Sequence, residues 1–117
     1  MKYIDGYVVP VPAANREAYR TLAVQMAELF KANGALQVVE GWGDDVPEGK
    51  VTSFPMAVQR KPDEVVVFSW VVWPSKQARD DGMKQVMAHP SMQQAPSGAP
   101  FDGKRMIFGG FEVMLEA

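Results

Sequence analysis

Cysteine is absent from this chain, and histidine occurs once, as His89. The first absence removes disulfide frameworks, thiolate nucleophiles and zinc-ribbon ligand sets together, and it suits a reducing compartment. The second leaves no recognised zinc spacing, hence no metal site, and no imidazole with a serine partner for a nucleophilic triad. A long apolar leader is also missing: the opening MKYIDGYVVPVP carries Asp5, Pro10 and Pro12 where a signal peptide needs an unbroken apolar stretch. A cytoplasmic chain with no membrane association is expected. The formal charge is -2 and the basic residues are scattered, so nothing pulls the surface toward a phosphate backbone, and nucleic-acid binding is disfavoured. No glycine-rich phosphate loop follows a strand either. GYVVPVP lacks the spacing, and FGGF lies inside a strand, where glycine marks a bulge or a close approach. No cofactor is implied.

What remains is ordinary globular material. With 117 residues, 47% of them hydrophobic and 22% charged, the chain has enough apolar side chain for one core and too little length for two, so a single domain spanning 1–117 is expected.

Lys2 to Val11 is rich in β-branched and aromatic residues and reads as a first strand. From Asn15 to Asn33 the period changes: Tyr19, Leu22, Ala23, Met26, Leu29 and Phe30 recur at helical spacing, with Asn15 as N-cap and Gly34 as the left-handed residue after the helix. Ala35 to Gly43 reads as a second strand, and GDDVPEGK as a loop. A short helix through Met56, Ala57 and Val58 is capped by Thr52 or Ser53. EVVVFSWVVW, Glu64 to Trp73, is the clearest strand; Pro74 ends it and Ser75 caps a helix from Lys76 to His89 that buries Met83, Val86 and Met87 and stops before Pro90. Ser91 to Arg105 reads as a long loop and Met106 to Glu116 as the last strand. The order β-α-β, β-α-β is the split βαβ arrangement of an α+β, ferredoxin-like fold with a four-stranded antiparallel sheet.

An antiparallel sheet with helices on one face normally alternates apolar and polar residues. Here Val66, Phe68, Trp70 and Val72 fill one face of the third strand and Val65, Val67, Val71 and Trp73 the other, with Ser69 the one polar residue inside the run. Two helices cannot hide both faces, and an uncovered Phe, Trp and Val surface exceeds the few hundred Å2 that soluble monomers tolerate. A homodimer that stacks sheet on sheet, burying on the order of 2,000 Å2, is the expected remedy.

Three stretches, YIDGYVVPVPAANREAY, VVVFSWVVWPSKQARDDGMKQVM and PFDGKRMIFGGFE, resemble the YbaA-like bacterial family of uncharacterised proteins over essentially the whole chain. The resemblance implies the dimeric α/β-barrel form of the ferredoxin-like fold. It offers no catalytic residues to carry over.

If Trp73, Ser69 and Val67 face the space between two stacked sheets, alternation places Asp5 with Tyr3 and Tyr7, Glu40 with Trp42, and Glu112 with Phe108 and Met114 along a cavity there. Carboxylates in such a cavity, Asp5, Glu40 or Glu112, would be pushed toward neutral pKa and could move protons; at solvated strand ends, or paired with Arg, they would not. Arg79, Lys104 and Arg105 could form an anion-binding rim with Ser91 to Pro100 as a lid, or simply charge a strand end. Trp42, Trp73 and the methionines could line an adaptable pocket or be core. The leading functional expectation is a small-molecule binding protein or cofactor-independent enzyme acting on an apolar or aromatic ligand. The alternative is a non-catalytic dimeric interaction module, with RNA binding a distant third.

Overall fold

The computed structural model describes residues 1–93 and 99–117. Strand β1 (Tyr3–Pro12) runs through a 3-10 turn (Ala13–Asn15) into helix α1 (Arg16–Ala32), followed by β2 (Gln37–Trp42), the short helix α2 (Phe54–Ala57), β3 (Glu64–Trp73), helix α3 (Lys76–Ala88), a single helical turn α4 (Pro90–Gln93), a second 3-10 turn (Gly103–Arg105) and β4 (Ile107–Glu112). The strands form one antiparallel sheet in the order β2-β3-β1-β4, the ferredoxin-like arrangement.

The ends follow the capping chemistry read from the sequence in most places. Ser53 Oγ accepts from Met56 N at 3.1 Å, Ser75 Oγ accepts from Ala78 N at 3.0 Å, and Gly34 takes φ of +108° just after α1. Asn15 departs from expectation: it precedes α1 but makes no side-chain cap bond, because its Nδ2 donates to Pro100 O and so pins the chain before β4 to the start of α1. The last strand is shorter than expected. Pairing with β1 stops at Glu112 opposite Tyr3, and Met114 and Leu115 extend beyond the ladder into solvent. The expected loop from Ser91 holds α4 at its start and the second 3-10 turn at its end; residues 94–98, where the expected lid falls, lie outside the described residues.

The register assigns the faces. Helices α1 and α3 cover the side that carries Tyr3, Asp5, Tyr7, Val9 and Val11 of β1 and Val67, Ser69, Val71 and Trp73 of β3. Trp73 is fully enclosed there, its ring edge-on to Phe30 and directly under Gly82 of α3, where a Cβ would collide with the indole. On α3, Val86 is buried and Met83 packs against the same cluster, whereas Met87 turns out to solvent, contrary to expectation. The opposite face is covered only in part: Val58 beside α2 closes over Val8 and Val66, while Phe68, Ile107 and Phe111 remain exposed.

Candidate functional site

Alternation does place Asp5, Tyr7, Ser69, Trp73, Glu40 and Trp42 on one face, but that face looks at the helices and not at the space between stacked sheets. Period-two spacing groups side chains correctly and is silent about which group the helices cover when both are apolar.

On the helix side the apolar core is divided. Phe30, Ala35, Val71, Trp73 and Val86 form one cluster and Val9, Val11 and Val67 another. Between them one cross-strand row carries Glu40 of β2, Ser69 of β3, Tyr7 of β1 and Phe108 of β4, each the register partner of the next. Ser69 is 4% exposed. At the β2 end, Tyr19 of α1 donates its hydroxyl proton to Glu40 Oε1 at 2.6 Å. Partial burial pushes the Glu40 carboxyl up from the ordinary value although solvent still reaches it, and the Tyr19 bond opposes that rise. Tyr19 itself is held firmly protonated by burial and by this carboxylate, and its ring meets Phe101 edge-on at 5.8 Å.

At the β4 end the floor is open. Among the described residues, Arg79 of α3 reaches β4 at Gly110, and the rest of this side of the strand is open: Phe108 is 72% exposed, and Gly110 and Glu112 are exposed beside it. The Phe108 ring lies against Tyr7 with centroids 6.3 Å apart and planes 29° from parallel, so the two make a flat aromatic shelf. Burial, with Asp5 nearby, pushes the Tyr7 phenol up to about 12, so it stays a hydrogen-bond donor at any physiological pH.

Asp5 and Trp73 serve a different purpose from cavity lining. Asp5 Oδ2 accepts from Trp73 Nε1 at 3.0 Å, and the Arg79 guanidinium grips both carboxylate oxygens, with Nη2 to Oδ1 at 2.9 Å. Arg79 also donates to Asp80 and lies over the Tyr3 ring at 5.0 Å. Gly110 is the residue β4 needs at this point, because a Cβ there would run into Tyr3 and Arg79. The result is a saturated ionic clasp that ties α3 to β1.

The expected cationic rim does not form. Arg79 is anchored at Asp5, near one end of β1, while Arg105 is anchored at the other end, where Glu64 pairs with Pro12; roughly 20 Å of strand separates them. Arg105 meets Glu64 in a two-pronged contact of 2.7 and 2.6 Å, donates to Asp102 Oδ2 at 2.9 Å and to Gln59 O at 2.9 Å, and is thereby committed. The Arg105 bonds hold the Glu64 and Asp102 carboxyls below the usual range. Lys104 projects to solvent from the turn that Asp102 closes. Glu112 sits opposite Tyr3 at the exposed sheet end, and Met114 has left the strand, so they do not line a common cavity.

Arg16 lies over Trp42 at the β2 edge, 5.1 Å from its ring. His89 is exposed and its Nδ1 accepts from Ser91 N. Among the described residues no cluster of His, Asp or Glu is arranged to hold a metal ion, and no helix is long and apolar enough to cross a membrane. On the side away from α1 and α3, the described residues form an open concavity of about 430 Å3 over Ile4, Trp70 and Val72 and another of about 360 Å3 beside Phe54, Val66 and Phe68.

Two participants leave little signal in the sequence, and a third is legible only in part. Tyr19 occupies one more core-like position of an amphipathic helix, Glu64 is the polar start of a strand, and alternation assigns Phe108 to lining with no sign of a shelf. A buried glutamate opening an apolar strand was the one available signal.

Solved structures share this architecture at low identity. A crystal structure of a mutant of MhuD with two manganese protoporphyrin IX molecules bound per active site is 15% identical, covering 98% of this chain and 97% of that one with a TM-score of 0.61. A dimeric ferredoxin-like protein from an uncultured marine organism is 9% identical over the full length of both, with a TM-score of 0.62. A putative antibiotic biosynthesis monooxygenase from Bacillus cereus is 12% identical, covering 100% and 95%, with a TM-score of 0.55. At these identities the likeness concerns the fold. Sequence comparison goes further: the uncharacterized protein YbaA of Escherichia coli strain K12, and that of Shigella flexneri, are each 53% identical to this chain over 116 residues, 99% of both partners. Since the family model described as a protein of unknown function, DUF1428, also matches residues 2–103, the resemblance read from the three sequence stretches holds, and the chain belongs to the DUF1428 family.

Proposed function

We propose that this single-domain protein works as a cytoplasmic homodimer, and that each copy binds a planar, largely apolar small molecule on the Tyr7–Phe108 shelf. The observation that supports the ligand assignment is Phe108: a phenylalanine 72% exposed, stacked on a half-buried tyrosine on an exposed stretch of β4. A flat ring laid on Phe108 gains aromatic contact, and the protonated Tyr7 hydroxyl offers one oriented donor to a carbonyl or hydroxyl on its edge. A structure of the same fold carries a flat macrocycle in its active site, which is in keeping with a ligand of this shape.

The dimer rests on the other face. Phe68, Ile107, Phe111 and Phe54 are exposed there, and a second copy is the partner that presents a matching apolar sheet. A structural neighbour of this fold is dimeric by its own description.

Titration with 1-naphthol, followed through intrinsic fluorescence, tests the shelf. Saturable binding that weakens at least tenfold in Phe108→Ala and survives in Phe108→Trp is expected; equal affinity of the alanine variant and the parent would remove the shelf as the site. Light scattering at micromolar concentration tests the pairing, which a monomeric mass would overturn.

A further inference from the structure

The segment that follows β4 is held in place and yet leaves its largest side chains in water. Val113 N donates to Lys2 O at 3.0 Å and Lys2 Nζ donates to Glu116 Oε2 at 3.0 Å, so Val113 to Glu116 is pinned beside the start of β1. Between these two anchors Met114 is 94% exposed and Leu115 81%. The single subunit gains almost no burial from either side chain.

Leu115 stands at the edge of the concavity of about 430 Å3 on the open face. The floor of this trough is Ile4, Trp70 and Val72; Leu115 bounds it on the β4 side and Leu36, itself 48% exposed, on the β2 side. Its lip carries Lys2 and Glu116, one charge of each sign. One face thus holds an apolar hollow, an apolar knob next to it and a balanced pair of charges.

We infer that in the homodimer each copy lays its Val113–Glu116 segment into the trough of the other, with Leu115 seated on the partner's Trp70 and Val72. The inference rests on the homodimer of the open face and names the element that the two copies exchange. Two-fold symmetry makes the fit reciprocal, because the knob of each copy meets the hollow of the other. The same symmetry sets Lys2 of each copy against the partner's Glu116, so the ion pair made within one copy is remade across the contact with its sign intact. A foreign partner of a single charge would leave either Lys2 or Glu116 facing its like.

The absence of cysteine makes the test clean, since introduced thiols are the only ones present. Copies carrying Leu115→Cys are mixed with tagged copies carrying Gln37→Cys, on the β2 side of the trough, and treated with a bis-maleimide able to span the roughly 10 Å between stacked sheets. A mixed cross-linked pair is expected, at least tenfold more abundant than with Lys84→Cys, exposed on α3, in place of Gln37→Cys. Leu115→Glu should weaken association at least tenfold in sedimentation equilibrium and Leu115→Met should keep it. Leu115 is 81% exposed in one copy, so both variants should retain the circular dichroism of the subunit. Copies with Lys2→Glu and copies with Glu116→Lys should each self-associate about fivefold more weakly at low salt, and mixing the two should restore association. Coupling to Gln37→Cys no greater than to Lys84→Cys, or a Leu115→Glu dimer as tight as the parent, overturns the exchange and leaves the homodimer standing. A Gln37→Cys thiol that reacts with a bulky maleimide as fast in the dimer as in subunits separated by Phe111→Glu also overturns it, because the trough is then open to a small molecule or another protein. A parent protein that sediments as a monomer removes the homodimer and the exchange together.

Discussion

The two faces of this sheet are built from nearly the same kinds of residue and solve opposite problems. Under α1 and α3, Val, Trp and Phe pack to near-complete burial around polar side chains that have found partners: Asp5 with Trp73 and Arg79, and Glu40 with Tyr19. Across the sheet, Phe68, Ile107 and Phe111 are chemically simpler and, among the described residues, have little cover beyond α2. A face that has its own helices can hold buried polar groups, because the same chain supplies their hydrogen bonds. On the open face, if it pairs with a second copy as proposed, an unmatched charge would be trapped on association, which fits its apolar character.

The sharpest way to break this contrast is to put charge on the open face. Phe111→Glu places a carboxylate on β4 at a side chain 63% exposed in one copy, so the isolated subunit tolerates it. Association should fall by at least a hundredfold, read by sedimentation equilibrium, with little change in the circular dichroism of the subunit. An unchanged dimer would show that this part of the face is not its contact surface. On the helix side the same logic runs in reverse, and removing a charge is what hurts. Arg79→Leu leaves the Asp5 carboxylate, 4% exposed, with one indole donor, and stability should drop by about 3 kcal/mol, the lower part of the usual range because Arg79 is itself partly solvated. Asp5→Asn combined with Arg79→Leu should recover part of that loss in urea titrations, since the stranded charge is gone. Gly82→Ala probes packing alone. Its Cβ would overlap Trp73 and the Asn33 carbonyl, and a loss of about 2 kcal/mol is expected in the same measurement.

Much of the architecture could be read from the chain because each signal is local. Ser53 and Ser75 cap helices through bonds spanning three residues, Gly34 takes the backbone angle that glycine takes easily, and EVVVFSWVVW can hardly be anything but a strand. The grouping of Tyr7, Ser69 and Glu40 was readable for the same reason, as parity along a strand is a local property. Which group lay beneath the helices was not: Val66-Phe68-Trp70-Val72 and Val67-Ser69-Val71-Trp73 offer nearly equal hydrophobicity, and helix placement depends on both connections at once. Pairings across the chain left no trace at all. Arg79 and Asp5 are 74 residues apart, and Arg105 and Glu64 are 41 apart, so three nearby cationic residues in a strand-and-loop reading became two separate clasps.

The smallest effect separates two carboxylates by sign. Glu64 is held below the ordinary value by Arg105, so the folded state binds fewer protons there than the unfolded chain does; its contribution is complete above the unfolded value, near 4.3, and is lost as pH falls through the lower folded value. Glu40 is raised, so in the window between its unfolded and folded values the native state holds the extra proton, and stability declines as pH rises through that window. Glu64→Gln should therefore flatten the acid-side loss of melting temperature, whereas Glu40→Gln should remove a shallow decline just above it. Tyr19→Phe provides the finer discrimination. The Tyr19 hydroxyl favours ionised Glu40, so its removal should move the Glu40 value further up and extend the declining window to higher pH. If that window stays where it was, the hydroxyl bond is not what limits the rise, and the polar row on the helix side is weaker at its β2 end than at its aromatic one.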